Sequence, residues 1–525
     1  MASATKVIRN FYRDSVSLMQ LSARLAKMPG LQQASAIMAS DANLALLREA
    51  GLLKGTIEAG PNDLLIALQG ESESVLGVAM AEAEAAFDQK PATGSGQGPQ
   101  REPPRSLEMG LDAMPGANLA LISTPGDYAV AEAMKALQLG LNVMLFSDNV
   151  PIEDEVALKH YAQAHGLIVM GPDCGTAIVG GIPLGFANVV RRGGIGVVGA
   201  SGTGLQQVTC LIDRFGEGIS QAIGTGGHDL HSAVGGITML QGLEALASDA
   251  PTKVIVLISK PPAREVAQRI LARAQKAGKP VVVNFLGADS KSIAGPNLTS
   301  AKTLEDAAQF AVALATGNKL RPSASPSQGF FGAQRPAASQ RYIRGLYSGG
   351  TFCYEASLLL SETLSPVYSN TPVGTAQTLS DVWQSRAHTL IDLGDDIFTR
   401  GRPHPMIDHR LRNERLAKEA NDPETAIILL DVVLGFGAHM DPAGEIAPVI
   451  SAAKARAAKA GRHLIVLGFV CGTESDPQNL ARQEAGLREA GMFLARSNAE
   501  AVRLAAQVAR PLARDMPAAM QANEG

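Results

Sequence analysis

Hydrophobic and polar positions along this chain keep switching between two periods. Short apolar runs (KVIRNFY, QQASAIMA, DLLIALQG) alternate with segments whose apolar residues recur every three to four positions (SVSLMQLSARLAKM, DANLALLREAG, SVLGVAMAEAEAAF). Three such β/α units predict a small α/β domain over residues 1–88. From Asn118 the strands NLALIST, NVMLFSD and LIVMG are separated by the helices DYAVAEAMKALQLG and EDEVALKHYAQAHG, which predicts a parallel sheet with right-handed crossovers. GIGVVG (Gly194 to Gly199), KVIVLIS and VVVNFLG continue the series. The pattern then repeats. GIGVVGASGTG is echoed by RGLYSGGTFCYEA, KVIVLIS by AIILLDV, and VVVNFLGA by IVLGFVCG. Three matches in the same order predict two copies of one doubly wound domain, the second with a longer insertion between Ser365 and Thr425. Gln89 to Arg105 and Asn318 to Gln340 break the periodicity with Pro, Gly, Ser and Gln, and are read as linkers. The expected fold class is α/β, built from several doubly wound parallel-sheet domains.

Composition narrows the function classes. A chain of 525 residues suggests three or four domains, and 46% apolar with 18% charged residues can bury a sizeable core. The net charge of −4 argues against a general nucleic-acid binder, which needs a basic surface. Cys174, Cys210, Cys353 and Cys471 lie far apart with no CxxC pair, so neither a disulfide framework nor a zinc knuckle is expected. A reduced, cytoplasmic setting fits. The absence of a signal-peptide core or an 18-residue apolar run leads to the expectation of no membrane insertion.

Candidate chemistry lies in the loops after the strands, because open parallel sheets bind ligands beyond their carboxyl ends. ASGTG and YSGGT each put small residues at a predicted helix start, where free N–H groups and the positive dipole end favour an anion. Ser201, Gly202, Thr203, Gly349, Gly350 and Thr351 are therefore candidate phosphate-binding residues. A plain Ser/Thr cap with glycine for close packing is the alternative, and the duplication favours function. Candidate substrate-binding residues follow other strand ends: Cys174 in GPDCGT, Gly227, His228 and Asp229 in GTGGHDLH, His439 in GFGAHMDP, and Thr473 and Glu474 in GTESDP. In GDDIFTRGRPHPMID, Arg402 and His404 bracket Pro403 as anion clamp and titratable imidazole, and are candidate catalytic residues with Lys260 of SKPP. Each of His228, His404 and His439 is equally readable as a surface or locally bonded histidine. No metal is expected, because His228, Asp229 and His231 have no further ligand nearby. GxxxxGK[ST], HExxH and GxSxG are all missing, so no ATP signature is recognised.

The stretch from STPGDYAVAEAMKA through GPDCGT to VVGASGTG resembles the alpha subunit of succinyl-CoA ligase over about Leu119 to Gly317. The C-terminal half is similar to a second ligase-type domain. With the N-terminal unit, LISKPP, GRPHPMID and GTESDP, nearly the whole chain resembles the FdrA family of acyl-CoA synthetase-like proteins. This resemblance implies a small domain over 1–88, a linker over 89–110, a CoA-binding-like Rossmann domain over 111–192, a flavodoxin-like ligase domain over 193–317, a linker over 318–341 and a second ligase domain over 342–525. It implies an enzyme subunit handling an acyl or carbamoyl phosphate, most specifically carbamoyl transfer to oxamate in purine and allantoin breakdown. An acyl-CoA synthetase working with an ATP-grasp partner is the alternative, and a non-catalytic scaffold or regulatory subunit a further one. The ligase carries a phosphorylated histidine where this chain reads GADSKSIAGPN (Gly287 to Asn297), without histidine, so no phosphohistidine is expected. Where the ligase has a glutamate orienting that histidine, Ser259 and Lys260 stand here, and lysine suits a bound phosphate. The ligase's glycine-rich CoA turn is missing, so CoA or a nucleotide is implied only under the ligase alternative. The expected partners are a small phosphate anhydride, a carboxylate or amide acceptor and other protein subunits, with no nucleic acid and no membrane.

Overall fold

The computed structural model describes residues 2–13, 15–53, 55, 57–88, 104–319, 336–337, 339–399 and 402–514. Most of both expected linkers lies outside the described residues. The chain forms two compact units, residues 1–173 with 396–408, and residues 174–395 with 409–525. Among the described residues no helix is long and apolar enough to cross a membrane.

The first unit holds two small sheets. β1 (Ala2–Ile8), β2 (Leu31–Met38) and β3 (Leu64–Gly70) form one, with β3 central and antiparallel to both neighbours. The expected strand–helix alternation is present here, and its three strands form an antiparallel sheet. β1 and β2 leave a gap one strand wide, and β3 fills it in the opposite direction. One face of β3, Leu64, Ile66 and Leu68, packs on helices Ser15–Leu25 and Glu73–Asp88 through Leu18, Leu21, Leu25, Leu76 and Ala79. Its other face, Leu65 and Ala67, packs on Leu44, Leu47, Leu52 and Leu53. A strand covered on both faces has to be continuously apolar, as LLIAL is. The second sheet is parallel, β4 (Leu119–Ile122), β5 (Asn142–Leu145) and β6 (Val169–Met170) in chain order.

The second unit contains two seven-stranded sheets. The first comprises β7 (Thr176–Val179), β8 (Ile182–Gly185), β9 (Arg192–Ala200), β10 (Ile219–Gly224), β11 (Val254–Ser259), β12 (Val281–Phe285) and β13 (Leu298–Ser300), in the order β13-β12-β11-β9-β10-β7-β8. Strands β9 to β13 are parallel, and β7 and β8 close the edge as an antiparallel hairpin. The second comprises β14 (Tyr342–Tyr347), β15 (Val367–Ser369), β16 (Gln377–Thr378), β17 (His388–Asp392), β18 (Thr425–Val433), β19 (Ile465–Cys471) and β20 (Met492–Ala495). All are parallel, in the order β16-β15-β17-β14-β18-β19-β20. The run β9-β11-β12-β13 has the neighbour order of β14-β18-β19-β20, which is the repeat read in the sequence. The copies differ at one place. In the second, β17 takes the position beside β14 that β10 takes beside β9, and the inserted segment supplies it. The fold class is α/β with several parallel sheets.

His388 opens β17 and is buried, its Nδ1 accepting the N–H of Ile343 at 3.2 Å. Burial, with the Arg344 charge adding to it, pushes the imidazole down to about 4 from an unperturbed 6.5. The unfolded chain therefore takes up this proton below about pH 6.5 while the folded chain refuses it until about pH 4, so stability present above that window is lost as pH falls through it. His388→Asn keeps a neutral acceptor without the titration. Its melting temperature should decline less steeply than wild type between about pH 6.5 and pH 4, and parallel acid limbs would contradict this role.

Candidate functional site

Strands β9 and β14 are corresponding central strands, and each runs into a helix, Gly202–Arg214 and Gly350–Ser361 respectively. The first helix is capped by its own loop: Ser201 Oγ accepts the N–H of Gly204 at 3.0 Å. The second starts at Gly349, which has no side chain to cap with. A carboxylate from the neighbouring strand orders that turn instead. Asp431 of β18 accepts the N–H of Ser348, the N–H of Gly349 and the Ser348 hydroxyl, each at 2.8 Å. Arg412 Nη1 donates to Asp431 Oδ1 at 3.0 Å and to its carbonyl at 2.5 Å, while Nη2 lies 3.1 Å from His409 Nδ1. Burial lowers the Arg412 pKa and the Asp431 charge opposes that shift. Both side chains are almost fully buried, so the pair fixes the turn in a water-poor setting where its hydrogen bonds are strong.

The two helix starts meet. Ser201 Oγ and Thr351 Oγ1 share a hydrogen bond at 2.6 Å, and a Cβ on Gly349 would lie 3.0 Å from the Thr203 methyl. The N–H groups of Gly202, Thr203, Gly350 and Thr351 donate to no acceptor among the described residues, as expected for the first turn of a helix, and are available to an anion. The structure thus brings together all six candidate phosphate-binding residues. Each helix end adds roughly half a positive charge. Lys260 follows β11 and is exposed, and its ammonium lies 5.8 Å from the centroid of Tyr354 on the second helix. Burial pushes the Tyr354 phenol up to about 12, so it stays neutral.

Three residues missed in the sequence belong here: Asp431, Arg412 and Asp392. Asp392 ends β17 beside the second helix, and a Cβ on Gly350 would come within 2.5 Å of its Oδ2. Burial pushes this carboxyl up to about 7 although the nearby Lys260 charge opposes the shift. The signal was present in AIILLDV and TLID, where a single acid closes or interrupts an otherwise apolar strand.

Other candidates occupy different roles. Asp229 is fully buried and accepts the N–H groups of Thr238 and Met239 at 3.1 and 2.9 Å, capping helix Ile237–Ser248, so its carboxylate is used by the fold rather than offered to a substrate. Thr473 is also buried, its hydroxyl donating to the carbonyl of Val189 at 2.6 Å and its N–H to Asp476 at 2.8 Å, which makes it a tether. The Cys174 thiol packs on the carbonyls of Thr176 and Gly224 at 3.6 and 3.5 Å beneath the surface. Gly227, His228 and Glu474 are exposed on loops. His439 Nδ1 accepts the N–H of Asp441 at 3.0 Å, and its ring lies 5.5 Å from that of His409. Arg402 and His404 belong to the first compact unit and the helix pair to the second, because residues 396–408 of the insertion are part of the first. His404 Nδ1 accepts the N–H of Met406 at 3.2 Å and its carbonyl that of Ile407 at 2.8 Å, a local turn. Among the described residues no group of three His, Cys, Asp or Glu could hold a metal.

Residues 346–508 match the CoA-ligase family, residues 191–287 the CoA binding domain, and residues 1–104 the AllF heavy metal-associated domain. The uncharacterized protein YahF of Escherichia coli strain K12 is 45% identical over 494 residues, covering 93% of this chain and 95% of that protein. The alpha subunit of the ADP-forming succinate–CoA ligase of Aquifex aeolicus is 28% identical over 181 residues, 33% of this chain and 57% of that subunit. The apo dinucleotide-forming acetyl-coenzyme A synthetase 1 of Ca. Korarchaeum cryptofilum aligns at 15% identity and a TM-score of 0.32 over 76% of this chain and 83% of its own. Residues 1–104 contain neither cysteine nor histidine, so they lack the thiolate and imidazole donors that commonly hold heavy metals, and no metal chemistry is assigned to them.

Asp431→Ala should destabilise the second unit on the order of 3–5 kcal/mol in urea unfolding, because it leaves Arg412 buried without its counter-charge. A loss below about 1 kcal/mol would show that the pair does not set the turn.

Proposed function

This chain belongs to the same family as Escherichia coli YahF, and from that premise we propose that it is a subunit of a CoA-ligase-type, acyl-CoA synthetase-like enzyme. Its site holds an acyl phosphate with the phosphoryl group between the Gly202 and Gly350 helix ends. The observation that carries this reading is the Ser201–Thr351 contact, which sets against each other two helix starts whose four N–H donors are accepted by no described residue. Such donors bind phosphate in the substrate and stabilise the charge that grows on it as the acyl carbon–oxygen bond breaks. Lys260 adds a full charge beside them. The CoA-ligase and CoA-binding matches support the CoA thiol as the acyl acceptor. The likeness to a ligase alpha subunit supports a second subunit, of ATP-grasp type, that makes or consumes the acyl phosphate.

A second reading takes carbamoyl phosphate as the acyl phosphate and oxamate as the acceptor, as the FdrA resemblance implies. It is favoured by Gly287 to Asn297, which holds no histidine to carry a phosphoryl group between sites, so transfer straight from the anhydride needs positioning alone.

Gly202→Val tests the cradle. A Cβ there meets only Thr176 Oγ1 at 3.5 Å, so the fold tolerates the change while the added methyls crowd the free N–H groups. Affinity for acetyl phosphate and carbamoyl phosphate should fall about tenfold or more with the melting temperature unchanged, and equal affinity would remove the cradle. With the co-purified complex, phosphate release from these anhydrides that depends on CoA supports the synthetase reading, and release that depends on oxamate the carbamoyl reading. Neither should leave acid-labile phosphate on His228 or His231.

A further inference from the structure

We propose that Asp392 is the proton-carrying residue of this anion site, so that a dianion enters the Gly350 helix end only together with a proton held on that carboxyl. This rests on the cradle reading and adds to it a linkage between anion binding and pH.

The placement comes first. Asp392 is 7% exposed and stands at the carboxyl end of β17, the strand that the inserted segment places beside β14. Its main chain is fixed from both sides, its N–H donating to Asn370 Oδ1 at 2.9 Å and its carbonyl accepting Asn370 Nδ2 at 3.0 Å. Oδ1 accepts the N–H of Gly394 at 2.9 Å. Oδ2 points the other way, against Gly350, the first residue of the helix, and among the described residues no hydrogen-bond donor reaches it. In a residue so largely buried, an ionised oxygen that no described donor reaches is weakly stabilised, whereas a protonated one can donate to an incoming anion. Gly350 is required for this approach, since any Cβ would collide with Oδ2.

The charges around Asp392 are mixed. Lys260, from the loop after β11, favours the ionised carboxylate, while Asp395 beyond β17 and Asp431 on β18 disfavour it, and the Cys353 thiol lies on the facing helix. Burial outweighs Lys260, and the carboxyl changes charge near neutrality, at about 7. A dianion at the neighbouring N–H groups adds two negative charges facing an ionised Asp392, and like charges in one site shift the balance to the protonated form. Below neutrality the proton is already present. Above it, each binding event must take one from solvent.

Sulfate is the probe, because its own charge does not change near neutrality. Calorimetry of sulfate binding to the full chain in two buffers of different ionisation enthalpy counts the protons. Wild type should take up close to one proton per sulfate above about pH 7, with affinity falling up to about tenfold per pH unit. Asp392→Asn should bind sulfate with no uptake and a flat pH profile. Lys260→Gln provides a second route should the Asn variant not fold: loss of the cation moves the break to higher pH. Sulfate binding by wild type with no proton uptake overturns the role of Asp392 and leaves the cradle standing. Uptake that survives in folded Asp392→Asn also overturns it. No sulfate binding by any form removes both the cradle and this linkage.

Discussion

The buried carboxylate of Asp431 is the constraint on which the site depends. In the first copy the turn after the central strand is closed by its own serine, since Ser201 caps the helix it precedes. The second copy has glycine at that position, and the neighbouring strand β18 orders the turn through Asp431, held in turn by Arg412. This exchange leaves Gly349 bare of side chain, and only a bare residue allows the Thr203 methyl to approach from the first copy. The shared hydrogen bond of Ser201 and Thr351 then becomes possible. A charge pair inside a sheet is expensive, and its justification is conformational: it holds one turn where no local cap exists.

The repeat could be read from the sequence because parallel strands covered on both faces must be apolar throughout, which marks GIGVV, KVIVLI and AIILL alike. The same property concealed what matters most. A strand's place in its sheet depends on where the chain re-enters, and no local pattern distinguishes β17 lying beside β14 from β17 lying at an edge. The N-terminal domain shows the same limit, with alternating elements correctly read and an antiparallel β3 that periodicity does not encode.

Side-chain roles divided along another line. The placement of small residues at the two helix starts was legible, because glycine and hydroxyl side chains after an apolar strand mark a tight turn into a helix. Acids and hydroxyls elsewhere after strands were not, because a group that can hold a substrate can equally cap a helix, and Asp229 and Thr473 do structural work of that kind. Asp431 and Asp392 escaped notice for the opposite reason, being counted with the apolar strands they belong to.

Under the proposed function, each copy offers one helix start to the phosphoryl group, and the copies differ in what stands beside it. Two equivalent helix ends suit a group that is itself nearly symmetric. An acyl phosphate is not symmetric, since its carbonyl must extend to one side, where the acceptor attacks. Equal surroundings on both sides would bind it in either orientation and waste half of the encounters. The inserted strand breaks that equivalence by placing Asp392 against the second helix only, while Lys260 reaches across from the first copy toward Tyr354. Under the proposed function, β17 gives the cradle its direction, and the features that make the second copy a poorer repeat make the pair a better site.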